Sequence, residues 1–481
     1  MRDIITVMNA QQKIKQHHEQ INQQWDHELI PLLEKYIRIP SKSPMFDAHW
    51  QTNGYIHQAM DLLKNWCEQQ PIKNKKIDLL QIDKRTPLLV IDIPGDNDDT
   101  ILLYGHMDKQ PEMTGWDKEL GPWKPVLKDG KLYGRGGADD GYSVFAALSA
   151  ITYLQTLKIP HARCVVLIEA SEESGSPDLP PYLHLLKKQI GEPSFVICLD
   201  SECGNYHQLW STTSLRGIVG GTLKIETLAN GIHSGYGSGV APSVFDILRL
   251  LLNRIANAET GEITLDVLQV TIPDERLSQA KDTALALGDE LKKSVPFLSG
   301  VQPITKDNVE LILNRTWRAA LSIVGVDGVP AIADAGNVTL PNISVKLSMR
   351  TPPICDIQKA SDTLKKILEN NPPFGAKITY TSEDLSAGWH APALANWLKT
   401  ANNQASQLFF DHNAAYLGIG GTIPFMGMLS NLFPTEQFLI TGVLGPNSNA
   451  HGPNEFLHID MVKKLTGCIA SVIAAHFDRA S

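Results

Sequence analysis

Four stretches of this chain place side chains able to bind a metal ion at places where a fold can bring them together. The apolar run Ile101–Tyr104 leads into Gly105-His106-Met107-Asp108, and Cys164–Ile168 leads towards Ser171-Glu172-Glu173-Ser174. Phe195–Leu199 ends on Asp200, and the Gly-rich turn Gly134-Arg135-Gly136-Gly137-Ala138-Asp139-Asp140-Gly141 opens a helical pattern. In an open α/β sheet, ligands gather at the carboxyl ends of parallel strands. The spacing therefore predicts that these acid- and His-bearing loops converge on one rim. Strand periodicity points His106 and Asp108 the same way, so one can hold a metal while the other orients its ring. At the Glu172-Glu173 turn the neighbours can splay, one binding and one free as a base. Taken singly, each has an ordinary alternative: a polar loop for His106-x-Asp108, a helix N-cap for Asp139, a solvated acidic loop for Glu172-Glu173, a loop histidine for His451. Together, the carboxylates Asp108, Asp139, Glu172, Glu173 and Asp200 would repel strongly without cations. Asp, Glu and His donors without Cys suit a catalytic divalent-metal site.

The elements that position these groups read as an alternation. Strands are expected at Leu88–Ile93, Ile101–Gly105, Cys164–Glu169 and Phe195–Asp200, with helices at Ser143–Leu157 and Leu179–Lys188. Two earlier helical patterns cover Ile14–Ile39, stopped by Pro40, and Ile56–Cys67. Such alternation implies crossover units and a largely parallel sheet. Near Thr213 the character changes. Gly217–Leu228, Ile263–Ile272 and Val338–Met349 read as strands, Val244–Ile255 and Leu277–Lys292 as helices. A helix resumes from Ala391, Phe438–Val443 is a buried strand and Ile459–Phe477 a closing helix. The expected fold class is α/β, a catalytic domain with a mainly parallel central sheet in two parts (1–212 and 387–481). An α+β domain (213–386) is inserted between them.

At 481 residues the chain is long enough for two domains. A net charge of -9 argues against a nucleic-acid partner. Six scattered cysteines without a Cys-x-x-Cys pair fit reduced thiols of the cytoplasm. No apolar run approaches the roughly 20 residues of a membrane span, and the residues after Met8 turn polar, so neither a membrane anchor nor a cleaved leader is expected.

The same residues carry a family resemblance. Tyr104–Pro111, Asp129–Gly136 with Asp139-Asp140, Glu172–Ser176, Leu215-Arg216-Gly217, His233-Ser234-Gly235, Ser348-Met349-Arg350, Gly420–Pro424 and Asn449-Ala450-His451 run in the order of the M20 metallopeptidases, specifically their carnosinase-like dipeptidase branch. The chain departs from the usual pattern at Asp139-Asp140-Gly141-Tyr142, which lacks a lysine, and at Asn337–Pro341, one residue longer. The resemblance implies a zinc-peptidase fold with a lid domain that forms a homodimer. It also implies two divalent ions per subunit, zinc first, with manganese or cobalt as alternatives. It makes Asp139 the bridging carboxylate, with His106 and Asp200 completing one site and Glu173 and His451 the other. Asp108 would orient His106. A metal-bound hydroxide would attack the peptide bond, with Glu172 as general base and acid. His233, supplied by the partner's lid, and Asn337 would polarise the scissile carbonyl. Arg350, Gly421 and Thr422 would hold the terminal carboxylate of a small peptide substrate. The alternatives are an N-acyl-amino-acid deacylase or carboxypeptidase with the same chemistry, and a metal-binding protein without catalysis. The free Glu172 argues against the last.

Overall fold

The computed structural model describes residues 10–421, 426–428, 432–433 and 436–479. They form two compact units. The first is drawn from Met1–Thr213, Ala391–Leu417 and Met428–Ser481, the second from Ser214–His390 and Gly418–Gly427.

The first unit is built on a six-stranded sheet in the order Lys76–Leu80, Leu88–Ile93, Arg163–Glu169, Thr100–His106, Phe195–Cys198, Gln437–Ile440. The last four pair in parallel and the first two antiparallel, so the sheet is mostly parallel. Every residue of Thr100–His106 is buried. This is the expected signature of a strand covered on both faces, and it explains the unbroken apolar runs in the sequence. Burying each Leu, Ile or Val there contributes about 1.5–3 kcal/mol. The helix Ser143–Thr156 is buried on nearly every side, as a helix apolar all round must be. It packs on the closing helix Ile459–Asp478, which in turn meets Asn396–Phe410. Gly467 permits the last approach: a Cβ there would lie 2.6 Å from the Phe409 ring. The N-terminal segment is helical but not one regular helix. His18–Gln24 and Ile30–Ile37 are joined by a wider turn, Trp25–Leu29, whose Trp25 Nε1 donates to Thr466 Oγ1 at 3.0 Å.

The second unit contains a four-stranded antiparallel sheet in the order Ala320–Asp327, Asn342–Thr351, Gly217–Glu226, Lys377–Ser386. The Asn342–Thr351 strand alternates between buried and more exposed residues, so one face supplies the core. Val219, Leu223, Ile225, Leu347 and Met349 pack there with Ile247 and Leu251 of the helix Val244–Leu252 and Leu364 of Ile357–Glu369. A smaller core of Ala280, Ile312, Leu313 and Trp317 lies under the helices Asp274–Leu287 and Asn308–Thr316.

Several sequence expectations need correction. Ile263–Ile272 is not a strand: Ile263 makes one isolated bridge to Ala256, and Asp266–Leu268 is a 3-10 turn. Its apolar residues, including Ile263, Leu265 and Leu268, still face the core, so alternation reported burial rather than a ladder. Val338–Met349 is two strands, Val338–Thr339 and Asn342–Thr351, interrupted at Pro341, which lacks an N–H to donate. The helix expected from Ala391 starts at Asn396. Among the described residues no helix is long and apolar enough to cross a membrane.

Candidate metal centre

His106 is the last residue of its strand, and its backbone N–H donates to Asp140 Oδ2 at 3.1 Å. Its Nδ1 lies 3.1 Å from the Asp108 carbonyl oxygen and 3.5 Å from Asp108 Oδ1. Its Nε2 faces three carboxylates: Asp139 Oδ1 at 3.2 Å, Asp200 Oδ2 at 3.7 Å and Glu172 Oε2 at 4.0 Å. Asp108 does more than face the ring. Its two oxygens accept the backbone N–H groups of Glu172 and Glu173 at 3.1 and 3.0 Å, fixing the short turn Glu172–Ser174. Asp200 follows the Phe195–Cys198 strand by two residues.

His451 reaches the same place from a loop. Its backbone is left-handed, with φ 63°. Its Nε2 lies 3.0 Å from Asp139 Oδ2 and 3.2 Å from Glu173 Oε2. Two groups of potential ligand atoms result, His106–Asp139–Asp200 and Asp139–Glu173–His451, each with its atoms within 4.8 Å of one another. Asp139 belongs to both, while Glu172 belongs to neither.

Residues 102–475 match the model of the peptidase family M20/M25/M40. The chain belongs to this family. A cysteinylglycine-S-conjugate dipeptidase of Corynebacterium striatum is 27% identical over 384 residues, 78% of this chain and 80% of that protein. The Cys-Gly metallodipeptidase DUG1 of Saccharomyces cerevisiae is 28% identical over 385 residues, 75% of this chain and 76% of that protein. Human carnosine dipeptidase 1 has a similar fold, with a TM-score of 0.71 at 18% identity over 98% of both chains.

Electrostatics say what this M20 site is built to hold. Unit charges about 4 Å apart interact by about 4 kcal/mol at an effective dielectric near 20, so buried carboxylates this close need cations or protons. Burial and then Asp200 raise the Glu172 pKa well above the usual range. Burial, opposed by His106, raises Asp200 to about 7. Burial works to lower the pKa of both histidines, yet the surrounding acids win. Asp200, Asp108 and Asp139 hold His106 well above its ordinary value, and Asp139 with Glu173 brings His451 to about 11. Burial opposes ionisation of Asp139, but His106 and His451 pull its pKa below the ordinary value. Glu173 Oε1 is buried with no hydrogen-bond partner. Nitrogen and oxygen donors, an orphaned carboxylate oxygen and a shared aspartate fit a pair of divalent ions.

The remaining candidates lie in the second unit. His233 pairs with Val338 in a two-residue ladder, and the Asn337 carbonyl accepts the Ser234 N–H at 2.8 Å. His233 and Asn337 are thus neighbours, both exposed. Arg350 is half-buried opposite Ile218, and burial lowers its pKa. Gly421 follows Gly420, whose carbonyl accepts from Arg216 Nε at 3.2 Å. Thr422 lies outside the described residues.

Some contributors escape a local reading. Arg216 belongs to a family motif, but nothing local indicates that it supports the Gly420 loop. Gln110, two residues after Asp108, donates from Nε2 to Glu173 Oε2 at 2.6 Å. Glu169 accepts from Tyr104, Ser171 and Ser176 hydroxyls, and burial lifts its pKa to about 7. Its place directly before the Glu172-Glu173 loop was the available signal.

Proposed function

We propose that this M20 peptidase hydrolyses dipeptides at a dinuclear centre, with Cys-Gly dipeptides as the first candidates given its relatives' names. One ion would be held by His106, Asp139 and Asp200, the other by Asp139, Glu173 and His451, with zinc as the metal. The bound ions supply Lewis acidity towards water and the amide carbonyl. The observation that carries the reading is Glu172: it sits 4.0 Å from His106 Nε2 yet outside both ligand groups. Its carboxylate takes a proton from the attacking water as the water oxygen bonds to the carbonyl carbon. As the C–N bond breaks, Glu172 returns that proton to the departing amine. Asp108 keeps Glu172 in place through its backbone N–H.

For the second unit the reading assigns roles by family likeness. His233 of the partner subunit, with Asn337, polarises the carbonyl. Arg350 grips the terminal carboxylate, a task suited to a planar guanidinium, and the same likeness assigns Gly421 and Thr422 to that carboxylate. A homodimer through this unit is supported by the exposed apolar side chains Ile323, Val324 and Val326 on the edge strand and Phe245 on a nearby helix, since such edges invite pairing. Six thiols without a disulfide support a reducing, cytoplasmic setting.

The test is hydrolysis after chelation and re-addition of zinc, manganese or cobalt. The panel is Cys-Gly and other dipeptides against N-acetyl and N-succinyl amino acids. Metal-restored cleavage of dipeptides is expected. Restored cleavage of the acylated amino acids alone would redirect the reading to a deacylase.

A further inference from the structure

Behind the metal loops lies a buried ion pair that the proposed chemistry does not use. Arg135 and Glu455 are 320 positions apart in sequence, and their side chains are 1% and 0% exposed. Arg135 Nη1 donates to Glu455 Oε2. Its Nη2 donates to the Gly452 carbonyl at 2.8 Å and its Nε to the Pro111 carbonyl at 3.3 Å. Glu455 Oε1 accepts the Gly136 N–H at 2.9 Å, and the Glu455 carbonyl accepts the Gly134 N–H at 3.0 Å. The adjoining strands Lys131–Tyr133 and Phe456–His458 pair antiparallel and lock this junction.

Two of these contacts lead to ligands found only in the Asp139–Glu173–His451 group, and a third leads to the aspartate that both groups share. Gly452 adjoins His451. Pro111 adjoins Gln110, which holds Glu173 Oε2. Gly136 precedes the shared Asp139 by three residues, so the preference for one group rests on His451 and Glu173. By contrast, His106 ends a strand laddered within the central sheet and Asp200 follows another. A buried ion pair is weak evidence for stability, because desolvation offsets much of the attraction. It does fix geometry, and here that geometry is the meeting of three loops.

We infer that Arg135 and Glu455 are positioning residues for the cation site of Asp139, Glu173 and His451, and not for that of His106, Asp139 and Asp200. This rests on the dinuclear reading above. Partners that orient metal ligands typically control affinity by about 10- to 100-fold.

The experiment is zinc titration by calorimetry and equilibrium dialysis on the metal-free full chain. Arg135→Gln and Glu455→Gln are placed singly in two backgrounds, His106→Ala and His451→Ala. In His106→Ala, where the His451 group remains, each substitution should weaken zinc binding about tenfold or more. In His451→Ala, where the His106 group remains, affinity should stay within about twofold, far less than such positioning partners command. Should a single variant fail to fold, the double variant Arg135→Gln/Glu455→Gln removes both charges and leaves no lone buried ion; the same pattern is expected of it. Equal weakening in both backgrounds, or none in either, overturns the inference while leaving the dinuclear reading intact. A wild-type chain that takes up fewer than two ions overturns both.

Discussion

Glu172 stands beside two groups of ligand atoms without joining either, so a single amide substitution there separates cation binding from proton transfer. Glu172→Gln should retain two metal ions per chain by elemental analysis and lose turnover by about 10²- to 10⁴-fold, the span of general acid–base catalysis. Unchanged turnover would remove Glu172 from the chemistry. At this scale the sequence is informative where a side chain is costly in its setting. Asp200 at the end of an apolar run and paired acids at a turn both demand partners, and the structure gathers them around His106 and His451. What local sequence cannot carry is reach. Gln110 on Glu173, Arg216 on Gly420 and Arg135 on Glu455 are each ordinary polar residues until the distant segment arrives.

At the scale of elements, the parallel strands are legible because both faces are buried, which leaves long apolar runs. The edge strands of the second unit's sheet are not: Lys377–Ser386 is mostly exposed and polar, and Ala320–Asp327 is only partly covered, so neither shows a one-sided pattern. Helix packing yields a stability prediction. Gly467→Ala gains about 1 kcal/mol in helix propensity but drives a methyl into the Phe409 ring, and overpacking costs about 1–3 kcal/mol. A net loss of up to about 2 kcal/mol in denaturant unfolding is expected; a stabilised variant would contradict the close approach. The closing helix also carries a pH effect. His476 is buried against Phe195 and Trp397, with Nε2 2.9 Å from Ser194 Oγ. Burial and then Arg479 lower its pKa to about 3, against the pull of Asp99. Because the folded value lies below the unfolded value of about 6.5, the unfolded chain takes up its proton first on acidification. The contribution is complete above about pH 6.5 and is lost as pH falls towards about 3. His476→Gln should therefore flatten the fall in melting temperature between about pH 6.5 and about 4. Parallel curves for the two proteins would refute this role.

At the scale of the whole molecule, the first unit is assembled from both flanks of the second. Its proposed ligands run from His106 to His451. The mixed α/β class is legible from the switch between crossover-type and antiparallel patterning near Thr213. The second unit's later piece, which begins at Gly418, has no such marker, because Gly418 lies inside the strand Ala415–Ile419. If the exposed edge strand is a dimer surface, Val324→Arg should yield monomers by light scattering, a charge at the centre of an apolar contact being costly to bury. Persistence of the dimer would place its interface elsewhere. On this reading a pair of cations shares Asp139, with one acid left free beside them. Anomalous scattering from metal-soaked crystals would locate both ions. Two peaks are predicted, one among His106, Asp139 and Asp200 and one among Asp139, Glu173 and His451, with Glu172 bound to neither. A single peak, no peak, or Glu172 as a ligand would contradict it.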